Sequence, residues 1–323
     1  MIELENITKT YKIHKREAGI KNATKSFFKR EYETITALND ITFKINEGEM
    51  VGYIGPNGAG KSTTIKIMCG ILTPDSGKCI INGFIPYKQR EEYVKNIGVV
   101  FGNRSALWWD VPVDDSFELM KEIYDIPDDE YKKQKNMLVQ MLNIQEIIKT
   151  PTRQLSLGQR MRCEIAAAFL HNPKIVFLDE PTIGLDSVSK IAVRNFIKQI
   201  NKEKNTTIIL TTHDTGDLEA LTNRILLIGK GKLLLDGRLS TLIKKYSNKK
   251  IILKYSGKLD NLCEGLIVTD KTKEEANIQI DEKKIGVADS ISYLANKVNI
   301  QDLQIKETSV DDIVAKLYKE YKI

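Results

Sequence analysis

Hydrophobic and polar positions along the chain switch between two periods. From Ile2 to Tyr11 they alternate loosely, and from Thr36 to Asn46 the alternation resumes with Ile41, Phe43 and Ile45 on one face. Both stretches read as strands, the first at a sheet edge. Met50–Ile54 is a short, continuously apolar strand after the turn Glu47-Gly48-Glu49, and a helix follows from Lys61 to about Ile71. Residues 113–170 form a helical region. Its first part carries Phe117, Met120, Ile123 and Tyr124, then, beyond Pro127, Met137, Leu138, Met141 and Leu142. The proline splits it, because its ring cannot continue a helix. Leu157–Leu170 reads as a further helix opened by Ser156. Strand Ile175–Leu178, helix Ser187–Ile200, strand Thr207–Leu210 and strand Arg224–Ile228 then alternate as an α/β core does.

The rest of the chain changes character. Strands are predicted at Lys249–Tyr255 and Ala276–Ile280, and helices at Asp289–Lys297 and Val310–Tyr321. A boundary near Ser240–Asn248 divides the chain into residues 1–240 and a small α+β appendage, residues 241–323. Between the first two strands, residues 12–35 break the pattern. There Lys12, His14, Lys15, Arg16, Lys21, Lys25, Lys29 and Arg30 surround Ile20, Phe27 and Phe28. This composition fits a short amphipathic helix or a solvated basic loop.

Composition narrows the class. The 323 residues are 41% hydrophobic and 28% charged, the balance of a globular protein of about two domains. A net charge of +6 from 49 basic and 43 acidic residues is too mild to argue for nucleic acid, and none is expected as a partner. No apolar run approaches the roughly 18 residues that cross a bilayer. The start has neither the basic flank nor the apolar stretch of a signal peptide. If the protein works at a membrane, a partner supplies the spanning helices. The four cysteines (Cys69, Cys79, Cys163, Cys263) have no metal-like spacing and read as free thiols in a reducing cytoplasm.

The chemistry sits in a few short strings. Gly55-Pro56-Asn57-Gly58-Ala59-Gly60-Lys61-Ser62 follows a predicted strand and opens a helix. That context suits a loop whose backbone N–H groups point at phosphate oxygens at the positive end of the helix dipole. Lys61 would reach the β- and γ-phosphates, Ser62 would ligate Mg2+, and Thr63 would lie near the α-phosphate. Asp179 ends the apolar strand Ile175–Leu178, a place for an acid to hold the magnesium ion. Glu180 comes next and faces the other way, where a carboxylate can orient and polarise an attacking water. Two adjacent acids on an apolar strand need a cationic partner, and the metal ion is one.

In this order and spacing the phosphate loop, Leu155-Ser156-Leu157-Gly158-Gln159, the pair Asp179-Glu180, Gly184-Leu185-Asp186 and His213 resemble the ABC ATPases over roughly residues 1–235. The resemblance implies a P-loop NTPase core: a mixed sheet with helices, a helical subdomain and an antiparallel β subdomain. It implies ATP and Mg2+ as cofactors, and a homodimer in which Leu155–Gln159 of one copy presses on the γ-phosphate held by the other. Ser156 begins a helix, so its hydroxyl and the Gly158 N–H would face an anion. By the same resemblance His213 is the switch histidine, Asp186 couples the two sites, and Tyr11 stacks on adenine. Taken alone, His213 would more often be structural and Tyr11 equally well core. Two positions depart from the family. Leu157 replaces a glycine, and Asn103, one methylene shorter, stands where a glutamine follows the strand Gly98-Val99-Val100-Phe101.

Trp108-Trp109 and the run from Leu155 to Cys163 look like the daunorubicin-resistance and viologen-exporter group, whose ATPases pair with separate membrane permeases. Both tryptophans of the chain lie where the family docks a permease; core tryptophans are the plainer alternative. The basic insert at 12–33 is similar to an extra helix in ATPases that export lipid-linked polysaccharide, and would contact the membrane surface. The resulting expectation is the ATP-hydrolysing subunit of an exporter at the cytoplasmic face of the cell membrane. The alternative is a lipid-linked polysaccharide exporter. A non-transport ABC ATPase acting on nucleic acid or the ribosome fits less well, with one cassette and no sustained heptads between Gly70 and Arg153.

Overall fold

The computed structural model describes residues 1–14, 32–102, 104–246 and 249–323. They form two compact units, Met1–Arg238 and Leu239–Lys322. The strands of the first are β1 (Ile2–His14), β2 (Tyr32–Ile45), β3 (Met50–Ile54), β4 (Ser76–Ile81), β5 (Ile97–Phe101), β6 (Ile175–Asp179), β7 (Thr207–Thr211), β8 (Arg224–Gly229) and β9 (Lys232–Arg238). Its α-helices are α1 (Lys61–Met68), α2 (Arg90–Val94), α3 (Val113–Ile123), α4 (Asp128–Met141), α5 (Leu157–Phe169), α6 (Ser187–Lys204) and α7 (Thr215–Leu221).

The six-stranded sheet runs β5-β6-β7-β3-β8-β9, parallel except for β9. Parallel strands are covered on both faces, which is why they are apolar throughout. Along β6, Ile175 and Phe177 join a core with β1, β2 and β4, while Val176 and Leu178 join a core with the helices. The register sets Phe101 beside Asp179 and Asp179 beside Thr211, so the chain leaves these strands along one carboxyl edge. In such sheets ligands bind along that edge.

A second sheet, β2-β1-β4, is antiparallel. β1 is its middle strand, not the edge strand its pattern suggests. The unpredicted β4 pairs with its free side, Ile2 against Ile81 and Leu4 against Cys79, and all four side chains are buried. Both β1 and β2 extend further toward the insert than predicted, so residues 12–14 and 32–35 are strand. The rest of the basic insert, with Phe27 and Phe28, lies outside the described residues. Pro127 does split the helical region, standing as N-cap of α4. α1 ends at Met68, three residues short of its predicted end.

The second unit contains α8 (Leu239–Tyr246), β10 (Lys249–Ser256), β11 (Leu266–Lys271), β12 (Glu275–Ile280), α9 (Val287–Lys297), β13 (Asn299–Glu307) and α10 (Val310–Glu320). Its antiparallel sheet runs β11-β12-β10-β13 over a core of Ile251, Leu253, Tyr255, Ile278, Ile280 and Leu294. Helix α8 occupies most of the stretch where the pattern suggests a boundary. Among the described residues no helix is long and apolar enough to cross a membrane.

His171 ties the helical layer to β5. Its ring stacks on Tyr124 at 3.9 Å, and its Nε2–H donates to the Ile97 carbonyl at 2.9 Å. Burial holds its pKa down at about 4. The unfolded chain takes up this proton near pH 6.5 and the folded chain only near 4, so protonation favours unfolding between those values. We expect the urea midpoint to fall from pH 7 to pH 5, with a shallower fall in His171→Phe. An equal slope in both would contradict this.

Candidate active site

A cleft of about 390 Å³ opens at the carboxyl edge of the parallel sheet. Asn57, Gly58, Ala59, Gly60, Lys61, Ser62 and Thr63 line one wall, and Gly102, Asp179, Glu180 and Ile183 another. Gly60 turns the loop into α1 at a φ of 112°, where a Cβ would stand 2.7 Å from the Ala37 carbonyl oxygen. Only glycine suits both the angle and the space. Ser62 and Thr63 follow in the first turn of α1, whose unpaired N–H groups make an anion site.

Lys61 is 8% exposed. Its ammonium donates to the carbonyls of Gly55 at 2.5 Å and Pro56 at 3.1 Å. Burial lowers its pKa, and the charges of Glu180 and Asp179 oppose that shift. The chain therefore supplies one cationic partner for the two acids itself, beyond the metal ion inferred from sequence. A buried ammonium bonded only to carbonyls, with N–H groups around it, fits a polyphosphate.

Asp179 accepts a hydrogen bond from the Thr211 hydroxyl. Glu180 takes the left-handed region at a φ of 54°, which costs a non-glycine residue free energy and recurs at functional sites. Its N–H donates to the Thr211 carbonyl at 3.0 Å. Its Oε1 lies 3.3 Å from Nε2 of His213. The structure thus brings Lys61, Ser62, Thr63, Asp179, Glu180 and His213 to one edge. This set could hold a nucleoside polyphosphate with a divalent cation, which Ser62 and Asp179 would ligate, and could polarise a water.

Tyr11 does not line the cleft. It stands 36% exposed on β1, opposite Ile35 of β2, with the Lys9 ammonium 5.9 Å from its ring centroid. Ala37, two residues beyond Ile35, does line it. Nothing in the local pattern marks Ala37; folding of β2 over the loop places it there. Gly102 could have been read from its place after β5. Asn103 lies outside the described residues.

Ser156 is the N-cap of α5. Its hydroxyl accepts the Gln159 N–H at 3.2 Å, and its own N–H donates to Gln159 Oε1 at 2.9 Å. This capping box occupies the Gln159 N–H and leaves the Ser156 O–H free to donate to another acceptor. Gly158 is buried, and a Cβ there would stand 3.1 Å from Ser189 Oγ. Asp186 caps α6, accepting from Ser189 N–H and Oγ–H at 2.9 Å each. These bonds hold its carboxyl below the usual range. Leu157 packs on Gly184 of the same chain, where a Cβ would come within 2.5 Å of Leu157 Cδ2. At a φ of 67°, Gly184 leaves the space that this leucine fills.

Leu155 is half-buried against the helical core. Trp108 and Trp109 are exposed, at 58% and 53%. The Trp109 ring lies 5.8 Å from the Arg160 guanidinium, and Glu164 of α5 binds the Ser105 hydroxyl and the Ala106 N–H. Burial pushes the Glu164 carboxyl up. Cys69, Cys79 and Cys163 are buried free thiols.

The parallel sheet, the phosphate loop entering α1 and the acids at the end of β6 define a nucleotide-hydrolysing P-loop protein. Comparison with known families refines this. Residues 38–183 match the ABC transporter family. The chain is 30% identical to an ABC transporter ATP-binding protein of Methanocaldococcus jannaschii over 293 residues, 91% of this chain and 100% of the relative. It is 28% identical to the linearmycin resistance ATP-binding protein LnrL of Bacillus subtilis over 299 residues, 90% of this chain and 96% of LnrL. Its fold is similar to the dimeric post-hydrolysis state of the ATP-binding cassette MJ0796 bound to ADP and Pi. There the TM-score is 0.61 at 29% identity, over 74% of this chain and 99% of that chain. The chain belongs to the ABC transporter family as an ATP-binding subunit, and its cassette is an ATPase.

Proposed function

We propose that two copies of this chain close head-to-tail on two molecules of ATP and drive an exporter whose membrane-spanning parts are separate permease subunits. The observation that carries the reading is the gathering of Lys61, Ser62, Asp179, Glu180 and His213 along one edge, with Ser156 elsewhere on the surface at the start of its own helix. Lys61 and the loop N–H groups bind phosphate, and Ser62 and Asp179 would hold magnesium. Glu180 takes the proton of the attacking water, with His213 orienting it. Ser156 donates a hydrogen bond from its hydroxyl to the nucleotide held by the other copy, and Asp186 joins the two sites at the dimer seam. Tyr11, which stands on β1 outside the cleft, would meet the adenine only where the nucleotide reaches past Ala37, and Asn103 would serve in place of the family's glutamine. Bound magnesium supplies charge neutralisation on the phosphates. Residues 1–240 perform this chemistry, and residues 241–323 are an accessory unit.

The exposed Trp108-Trp109 pair supports the permease contact. Aromatic side chains bring large area at low entropy cost, and Glu164 and Arg160 fix this loop to the helix that Ser156 begins. The relative LnrL is named for linearmycin resistance, which supports outward transport. Detergent extraction of the tagged chain from its own cells tests the contact. A polytopic membrane protein is expected to co-purify with it and to raise its ATP turnover. Trp108→Ala with Trp109→Ala should lose both effects and still bind ATP. Co-purification unchanged by the double substitution would contradict the docking site, and ribosomes or DNA in place of a membrane protein would contradict the transport reading.

A further inference from the structure

Asp217, in α7, is fully buried, yet it takes no direct part in the chemistry above. Its Oδ2 accepts from the Thr182 hydroxyl at 2.5 Å and from the Thr212 hydroxyl at 3.0 Å. Its Oδ1 accepts from Arg194 Nε at 2.7 Å. Arg194 also donates to Asp214 at 3.2 Å, and Asp214 pairs with Lys190. Thr182 stands two residues after Glu180, and Thr212 immediately before His213; both threonines are buried. One carboxylate oxygen therefore grips both turns that carry the Glu180–His213 contact of 3.3 Å.

A buried ion pair is weak at adding stability, because desolvation offsets most of its attraction. What it adds reliably is geometry, since each hydrogen bond fixes a distance and a direction. Glu180 also needs such restraint, because its left-handed backbone persists only where surrounding bonds hold it.

We propose that Asp217 is the positioning residue of the Glu180–His213 pair, clamping the two turns that carry them through the hydroxyls of Thr182 and Thr212. The proposal rests on the roles given to Glu180 and His213 above. Loss of the clamp lets the pair drift without touching the phosphate loop, and small misplacements at a reacting centre cost on the order of 10–100-fold in rate.

Steady-state ATPase kinetics on the full-length chain test this with Asp217→Asn, Thr182→Val, Thr212→Val and the triple variant. Asp217→Asn is expected to lower kcat by at least about 10-fold and to leave KM for ATP within about twofold. The triple variant should be no slower than Asp217→Asn by more than about twofold, because the three groups act as one unit. A normal kcat in Asp217→Asn, or losses that multiply in the triple variant, would overturn the proposal. Should Asp217→Asn fail to fold, Thr182→Val with Thr212→Val carries the test, since it leaves the Asp217–Arg194 pair intact; full kcat there overturns the clamp. Glu180→Gln is run alongside. Full activity in Glu180→Gln removes the underlying reading, whereas an inactive Glu180→Gln beside a fully active Asp217→Asn removes the clamp alone.

Discussion

Glu180→Gln is expected to bind ATP and to turn it over at least about 100-fold more slowly than the unaltered chain. The amide matches the carboxylate in size, so the turn after β6 keeps its shape and the contact with His213 at 3.3 Å can persist. What is lost is the negative charge that accepts a proton from water. A carboxylate facing the last phosphate also repels it, so removing the charge should tighten ATP binding as it stops hydrolysis. The check is a pair of measurements on one preparation, nucleotide affinity by calorimetry and phosphate release under saturating ATP. Undiminished phosphate release would refute the assignment of Glu180 as the base.

Lys61→Ala is expected to lose ATP affinity by about 100-fold or more, equivalent to roughly 3 kcal/mol. The ammonium is buried at the bend of the loop and bonded only to main-chain carbonyls. Truncation removes the loop's cation and leaves the charges of Asp179 and Glu180 uncompensated beside the incoming phosphates. Hydrogen bonds between ionised partners are each worth about 1.5–3 kcal/mol, enough to account for the loss. Fluorescent-nucleotide titration measures it. Affinity retained within about threefold would count against the phosphate-loop reading.

Much of this site is legible in the chain because its residues are local strings tied to element ends. The phosphate loop needs a strand before it and a helix after it, and both are visible in the pattern from Met50 onward. Asp179-Glu180 is conspicuous because it interrupts an apolar strand. Ser156 reads as a cap because it stands just before the helical pattern of Leu157–Leu170, and the structure adds a capping box with Gln159. What stayed hidden is set by tertiary pairing. β4 begins Ser76-Gly77-Lys78, with no alternation to announce it, and becomes a strand because β1 offers it a partner. Helix α8 spans only eight residues, and the helical spacing of Leu239, Leu242, Ile243 and Tyr246 is easily passed over in a stretch that also reads as a boundary. Asp217 could not be singled out at all: two of its three partners, Thr182 and Arg194, lie 35 and 23 residues away. In sequence Leu157 is only a departure from the family's glycine; the left-handed turn at Gly184 shows the space it fills.

The central claim is that one chain holds the phosphates and a second copy completes the site. Light scattering on Glu180→Gln, with and without ATP and magnesium, tests it most directly. The account predicts a single species near the chain mass of 36.7 kDa without nucleotide and one of about twice that mass with it. A mass that stays at 36.7 kDa while calorimetry shows the nucleotide bound would contradict it.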